Sequence, residues 1–302
     1  LDYGPVIAAG PGGTAVAAWI TNDAGEEIPT PAAPNRVRYA TFDGTAWSPP
    51  ADAFDAPGLE RLDLWTDGQE SIIFFSADTD GDFATALDRE LFVASRTTGA
   101  WSAPTRLTSN SDWDSGPKIE TGPLGAPIFI YTSGAALFTA TDRAALADER
   151  LIVAPNAAAA GLNDLTTAAD DDGSLAVAFQ RTTGSGQDLA LLTYDAPTDA
   201  WSVARSLTED AELDVPGAPA FGAAGELLLP TLRSLIVPVD RSNVEIDGEF
   251  FDLGALPTRG RTDLRLLRRA SPDDPALPAG SAQLVPPNPA PGEGATLTRD
   301  VM

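Results

Sequence analysis

The chain has no cysteine and no histidine among its 302 residues, and a single lysine, Lys118. Without cysteine there is no disulfide, no thiol nucleophile and no thiolate metal site. Without histidine, His-based triads, imidazole zinc sites and the usual general base near neutral pH drop out. Carboxylates, tyrosines, arginines, hydroxyls and Lys118 are left as the groups that could do chemistry. No stretch approaches the ~20 apolar residues of a membrane-spanning helix, so membrane insertion is not expected. Basic residues are few, 19 against 44 acidic ones, for a net charge of −25. Nucleic acid and anionic membranes would repel such a surface. A solvated acidic face, a cation ligand or a salty medium would suit it. Hydrophobic residues make up 43% of the chain, enough for a packed core.

What the chain does have is a recurring phrase. Ala-Trp-Ser stands at Ala46–Ser48, Ala100–Ser102 and Ala200–Ser202, spaced by 54 and then 100 residues, about two further steps of 50. Short strand-like runs separated by turn residues fill each interval. In the first, Pro5–Ala9, Ala15–Ile20, Arg36–Thr41 and Ala46–Pro49 read as four strands, with Gly-Gly and Asp-Gly turns between apolar runs. The second runs Leu59–Trp65, Ser71–Ser76, Glu90–Arg96 and Trp101–Leu107. The third has Pro117–Glu120, Pro127–Thr132, Ala136–Ala140 and Leu151–Ala154, with Ile152-Val153-Ala154-Pro155 in place of Trp-Ser-Ala-Pro. The fourth has Leu162–Ala168, Leu175–Gln180, Leu189–Tyr194 and Trp201–Leu207. A fifth begins at Ala218–Ala220 and Leu227–Leu229 and loses the pattern, with Leu235–Val239, Glu249–Leu253 and Asp263–Leu267 as further strands.

A repeat of about 40–50 residues made of four short strands predicts an all-β propeller of four-stranded antiparallel blades. About five blades are expected, at 1–56, 57–109, 110–157, 158–210 and 211–260, as a closed ring or part of a larger one. The repeated Trp would wedge each outer strand against the adjoining blade. From Ser271 to Gly294 the chain is rich in Pro, Gly and Ala and reads as a linker. The chain opens and stops in strand-like sequence without an initiator methionine, which predicts a piece of a longer protein.

The run Trp101–Thr108, preceded by Asp88–Phe92, resembles blades of secreted bacterial β-propellers of the sialidase-like, BNR-repeat kind. The resemblance implies the fold and a secreted or cell-surface location. An Asp-box is absent, since Ser111–Gly116 holds its ingredients in another order, and the sialidase arginine triad with its Tyr and Glu partners cannot be mapped. No catalytic residue is therefore carried over. Residues 261–302, through Thr262–Leu266 and Pro289–Leu297, are similar to the opening of a CARDB-type, immunoglobulin-like module of bacterial surface proteins. That implies further domains in the parent chain.

In antiparallel blades, loops between strands two and three and from strand four to the next blade share one rim. Here those loops carry the carboxylates: Asp23, Glu26 and Glu27; Asp78, Asp80, Asp82 and Asp88; Asp112 and Asp114; Asp210, Glu212 and Asp214. Alternating carboxylates around Gly81 (Asp78, Asp80, Asp82, then Asp88) could wrap Ca²⁺, which wants six to eight oxygens. A solvated acidic loop and an acid/base pair are the other readings. Asp112-Trp113-Asp114 places an aromatic between carboxylates, suited to a ligand face. Lys118 reads as an ordinary strand residue. The expectation is a non-catalytic binding or scaffold propeller presenting an acidic rim to a protein or carbohydrate, with Ca²⁺ as its one candidate cofactor. The alternative is a propeller glycoside hydrolase using paired carboxylates.

Overall fold

The computed structural model describes the chain except residues 27–28, 31, 57, 83–84, 86–87, 154–161, 184–185, 209–212, 223–225, 241–243, 247–248, 252–254, 270–281 and 284–302. Among the described residues it is all-β, with no α-helix. The first unit is a meander of β1 (Asp2–Ala9), β2 (Ala15–Asn22), β3 (Asn35–Phe42) and β4 (Ala51–Asp55), hydrogen-bonded in that order. The second repeats it with β5 (Leu59–Thr66), β6 (Ser71–Asp78), β7 (Arg89–Arg96) and β8 (Thr105–Arg106). The third has β9 (Asp114–Thr121), β10 (Pro127–Ser133), β11 (Ala136–Ala140) and β12 (Arg150–Val153). In the fourth, β13 (Leu162–Ala169), β14 (Leu175–Thr183) and β15 (Gly186–Asp195) are followed by β16 (Ala200–Trp201) and β17 (Arg205–Ser206), both paired with β15.

The fifth unit is built differently from the sequence expectation. Its first strand is split into β18 (Leu213–Pro216) and β19 (Ala220–Phe221), both paired with β20 (Leu227–Asp240). The run Leu235–Val239 continues β20 instead of forming a new strand. A separate hairpin, β21 (Val244–Ile246) and β22 (Glu249–Phe251), follows. The third rank is β23 (Ala255–Arg269), antiparallel to β20, and the fourth is β24 (Ala282–Gln283). The segment Thr262–Leu266, compared above with the opening of a second module, runs inside β23. The stretch Pro289–Leu297, and Glu27, Asp210 and Glu212 of the loops, lie outside the described residues.

The first strands of successive units, β1, β5, β9, β13 and then β18 with β19, lie side by side. Each sheet therefore packs face to face on the next, and three buried clusters fill the gaps among the first four units. Val16, Ile20, Leu64 and Phe75 fill the first gap, Ile72, Phe74, Phe129 and Tyr131 the second, and Ile128, Leu137, Val177 and Leu192 the third. Neighbouring Phe74 and Phe75 on β6 face opposite gaps, as the two-residue period of a strand requires.

The recurring phrase has a hydrogen-bond explanation. Ser48, Ser102 and Ser202 each donate their backbone N–H to a third-strand carbonyl, Thr41, Ser95 and Thr193, at 2.8 Å. Each serine hydroxyl then accepts the N–H of that same residue at 2.9–3.0 Å. The side chain closes a ladder pair that the chain is turning away from. The fourth strand of the first unit is expected over Ala46–Pro49. Instead β4 starts at Ala51, after Pro49 and Pro50, which have no N–H to give a ladder. Trp101 is buried and meets Tyr39 of the first unit edge-on at 5.8 Å, which is the wedge expected. Trp201 packs on Tyr194 of its own unit at 5.1 Å, and Trp47 is 46% exposed against Phe42.

The repeated Leu-Thr works the same way. Thr108 and Thr208 each accept the N–H of a third-strand leucine, Leu91 and Leu189, at 2.9 Å. Thr108→Val keeps the shape and leaves that N–H unpaired, which costs ~1–2 kcal/mol. Urea unfolding should show Thr108→Val and Thr208→Val losing stability by similar amounts, with the slope unchanged.

Candidate functional site

The rim carboxylates fall into two environments. Asp78, at the end of β6, Asp80 and Asp88 come together, with one oxygen from each within 4.8 Å of the others. Asp78 Oδ1 accepts the Gly81 N–H at 2.7 Å, and Asp80 Oδ1 accepts the Asp82 N–H at 2.7 Å. Thr85 donates to Asp88 Oδ1 at 3.2 Å. The second oxygens, Asp78 Oδ2 and Asp88 Oδ2, are buried without a hydrogen-bond partner. Burial raises the Asp78 pKa; the Gly81 N–H opposes this, and the neighbouring Asp88 and Asp80 charges add to it. Asp82 is exposed and is not part of the trio.

Asp112 is exposed and Trp113 is 40% exposed, with the Arg89 guanidinium 5.5 Å from its ring centroid and Arg89 held by Glu60 at 2.7 Å. Asp114 is fully buried instead. Its Oδ2 accepts from Asn110 at 3.1 Å, and burial raises its pKa against hydrogen bonds from Ser133 and Thr108. Beside it Glu90 is equally buried and pairs with Arg106 at 2.6 Å. These two carboxylates fasten the second blade to the third.

A second set of charged groups sits on the innermost strands. Asp63 is at the middle of β5, Lys118 and Glu120 on β9, and Thr167 on β13. Asp63 Oδ2 accepts the Ile119 N–H of the next blade at 3.0 Å. The Thr167 hydroxyl donates to Glu120 Oε1 at 2.6 Å, also across a blade boundary. Burial raises the Asp63 pKa, with Lys118 and the Ile119 and Leu64 N–H groups pulling back. Burial pushes Glu120 from 4.5 up to about 7; Thr167 opposes it, the negative charge of Asp63 adds to it, and Lys118 opposes it. Glu120 thus keeps its proton to near neutrality, within reach of the Asp63 charge. Such a pair is what general acid catalysis needs.

A cavity of about 180 Å³ reaches Lys118, lined also by Val6, Glu60, Arg61, Pro117 and Leu165. Arg61, Gly116 and Leu165 also line a second cavity of about 110 Å³, which Trp113 and Asp164 complete. The sequence reading placed Asp63, Lys118 and Glu120 inside strands and gave them no role. Charged residues interrupting otherwise apolar inner strands were the signal that could have found them.

No protein-family model matches the chain, and no curated protein matches it in sequence. Its fold does match solved structures. A protein of unknown function from Dyadobacter fermentans aligns over 88% of this chain and 90% of its own, at 11% identity and a TM-score of 0.53. An intramolecular trans-sialidase from Ruminococcus gnavus, solved with oseltamivir carboxylate, aligns over 90% of both chains, at 12% identity and a TM-score of 0.50. An α-L-arabinofuranosidase from Fusarium graminearum aligns over 85% of this chain and 77% of its own, at 15% identity and a TM-score of 0.48. At these identities the likeness establishes the fold, an all-β propeller of four-stranded antiparallel sheets. The expectation of a non-catalytic binding or scaffold module is corrected here. The matched trans-sialidase acts on glycans by its name, which favours the glycosidase alternative over that expectation. No helix among the described residues is long and apolar enough to cross a membrane.

Proposed function

We propose that the chain is a carbohydrate-active propeller that cleaves a glycosidic bond, with its chemistry on the inner strands. The inner-strand carboxyls carry this reading: Glu120 Oε1 accepts from Thr167 at 2.6 Å, Asp63 Oδ2 accepts the Ile119 N–H at 3.0 Å, and burial with the Asp63 charge pushes Glu120 up to about 7. In glycoside cleavage one carboxylic acid protonates the leaving oxygen while a second carboxylate acts as base or nucleophile. Glu120 is the proton donor in this account and Asp63 its partner carboxylate. Lys118 limits how far burial can raise either group. Thr167 fixes the Glu120 carboxyl by its hydrogen bond. The matched trans-sialidase is a glycan-processing enzyme by name, which agrees with a glycan substrate. A polysaccharide or glycoconjugate substrate goes with export to the cell surface or medium, where an acidic, cysteine-free domain needs no disulfides. The test is release of fluorophore from 4-methylumbelliferyl glycosides, N-acetylneuraminide and α-L-arabinofuranoside among them. The wild-type protein should cleave at least one, and Glu120→Gln should not.

The Asp78–Asp80–Asp88 trio belongs to the same proposal as a Ca²⁺ site that stiffens the rim. Two buried, unpartnered carboxylate oxygens fit a hard cation. Millimolar Ca²⁺ should raise Tm, since a ligand at 100 times its Kd stabilises by ~2.7 kcal/mol. Asp88→Asn should abolish the rise. An unchanged Tm in Ca²⁺ against EGTA would rule the site out.

A further inference from the structure

The four inner strands share one register. Val6, Asp63, Lys118 and Thr166 pair with Ala18, Phe74, Ile130 and Ala178, the fourth residues of the second strands of their blades. Two residues earlier stand Gly4, Arg61, Gly116 and Asp164; Gly4, Gly116 and Asp164 lie in a bulge, whereas Arg61 pairs with Ser76 and the irregularity of its strand falls one residue before it. Gly4 and Gly116 are left-handed there, with φ of 58° and 60°. The bulge asks for that conformation, and glycine supplies it without steric cost. Asp164 adopts it too, at φ 49°, although a side chain makes it unfavourable. Backbone geometry alone would be served better by glycine.

Arg61 and Asp164 line the same 110 Å³ cavity with Trp113. None of the hydrogen bonds or ion pairs among the described residues engages either side chain. Elsewhere arginines of this acidic protein are paired, Arg36 with Asp23, Arg89 with Glu60, Arg106 with Glu90 and Arg150 with Asp199. An unpaired carboxylate and an unpaired guanidinium beside an exposed indole make a site with an acceptor, a donor and an apolar plate.

We infer that this cavity is a sugar-binding subsite in which Asp164 is held in a strained backbone to receive substrate hydroxyls. A saccharide ring offers hydroxyl protons to the carboxylate, oxygens to the guanidinium and weakly positive C–H bonds to the π face of Trp113. The cavity shares Arg61, Gly116 and Leu165 with the one lined by Lys118, so a sugar bound here would have its neighbour in the chain on the Lys118 side. The inference rests on the proposed glycan substrate and names where that substrate is held.

The test separates strain from recognition. Asp164→Gly should raise Tm by about 2 °C, because the backbone strain is relieved. In saturation-transfer NMR with the 4-methylumbelliferyl glycosides, the same variant should lose the ligand signal that wild type and Glu120→Gln both show. Asp164→Asn, which tolerates the backbone but accepts fewer protons, should weaken the signal at least tenfold in affinity without raising Tm. A lower Tm for Asp164→Gly would make Asp164 a structural residue and overturn the inference. So would undiminished ligand signal in Asp164→Gly, or no signal in wild type with any glycoside of the panel. Ligand signal that depends on Asp164 without any hydrolysis would sink the catalytic reading and leave the subsite standing.

Discussion

Glu120→Gln is expected to lower turnover by 10²–10⁴-fold, the range a positioned general acid contributes. Glutamine keeps the size of the side chain and can still accept from Thr167, but it has no acidic proton. Wild-type activity should fall as pH rises past about 7, where Glu120 loses its proton, and should fall again in acid, where Asp63, its pKa raised by burial, takes one up. Stability should follow the same group with a definite sign. The folded state holds the Glu120 proton to about 7, whereas the unfolded chain releases it near 4.5. Between those values the native state binds more protons than the unfolded one, so stability falls as pH rises. The fall amounts to roughly 3 kcal/mol across the window and then levels off. Glu120→Gln removes that slope, so the two proteins should differ most near neutrality and the variant should be the more stable there. Urea titrations at pH 4.5 and 7.5 would read this directly.

Phe74→Ala is expected to cost ~3–5 kcal/mol, as for other large aromatic side chains removed from a core. Phe74 has no exposed surface and meets Phe129 and Tyr131 of the next blade edge-on, at centroid distances of 5.0 and 6.3 Å. The loss is specific to stacked blades, because those partners are more than 50 residues away and belong to another sheet. A double-mutant cycle with Phe129→Ala should return coupling of ~1 kcal/mol. Additive losses would mean that the two rings do not share an interface.

Much of the architecture could be read from residue spacing. The strict recurrence of Trp-Ser and Leu-Thr reflects a strict recurrence of backbone hydrogen bonds, those accepted by Ser48, Ser102, Ser202, Thr108 and Thr208. Propensity misplaces the fourth strands of the first two units, because apolar Trp47 and Trp101 look like strand residues while neighbouring prolines delay the ladder, whereas β12 and β16 begin where expected. The fifth unit was unreadable for a related reason. Its first strand is broken between β18 and β19, around Gly217 and Pro219, so no continuous apolar run marks it.

The candidate site was read least well. The dense carboxylates stand in the loops, where acidity is cheap because water solvates it. One of those, Asp114, turned out to be buried between blades. The groups that carry the proposed chemistry are sparse and sit singly in strands, where a charge is costly. Their meaning depends on which strand stands next to which, and Asp63, Glu120 and Thr167 come from three different blades. Asp164 is a further case. Its aspartate looks unremarkable in sequence, and only the left-handed backbone it shares with Gly4 and Gly116 sets it apart.

The whole account turns on the proton of Glu120. Carbon-13 labelling of glutamate side chains, with Glu120→Gln to assign the resonance, would give its titration midpoint in the intact protein. A midpoint near 7 is the predicted result. A midpoint near 4.5, the ordinary glutamate value, would mean that the carboxyl is ionised at neutral pH and is no proton donor, and the catalytic reading would be lost.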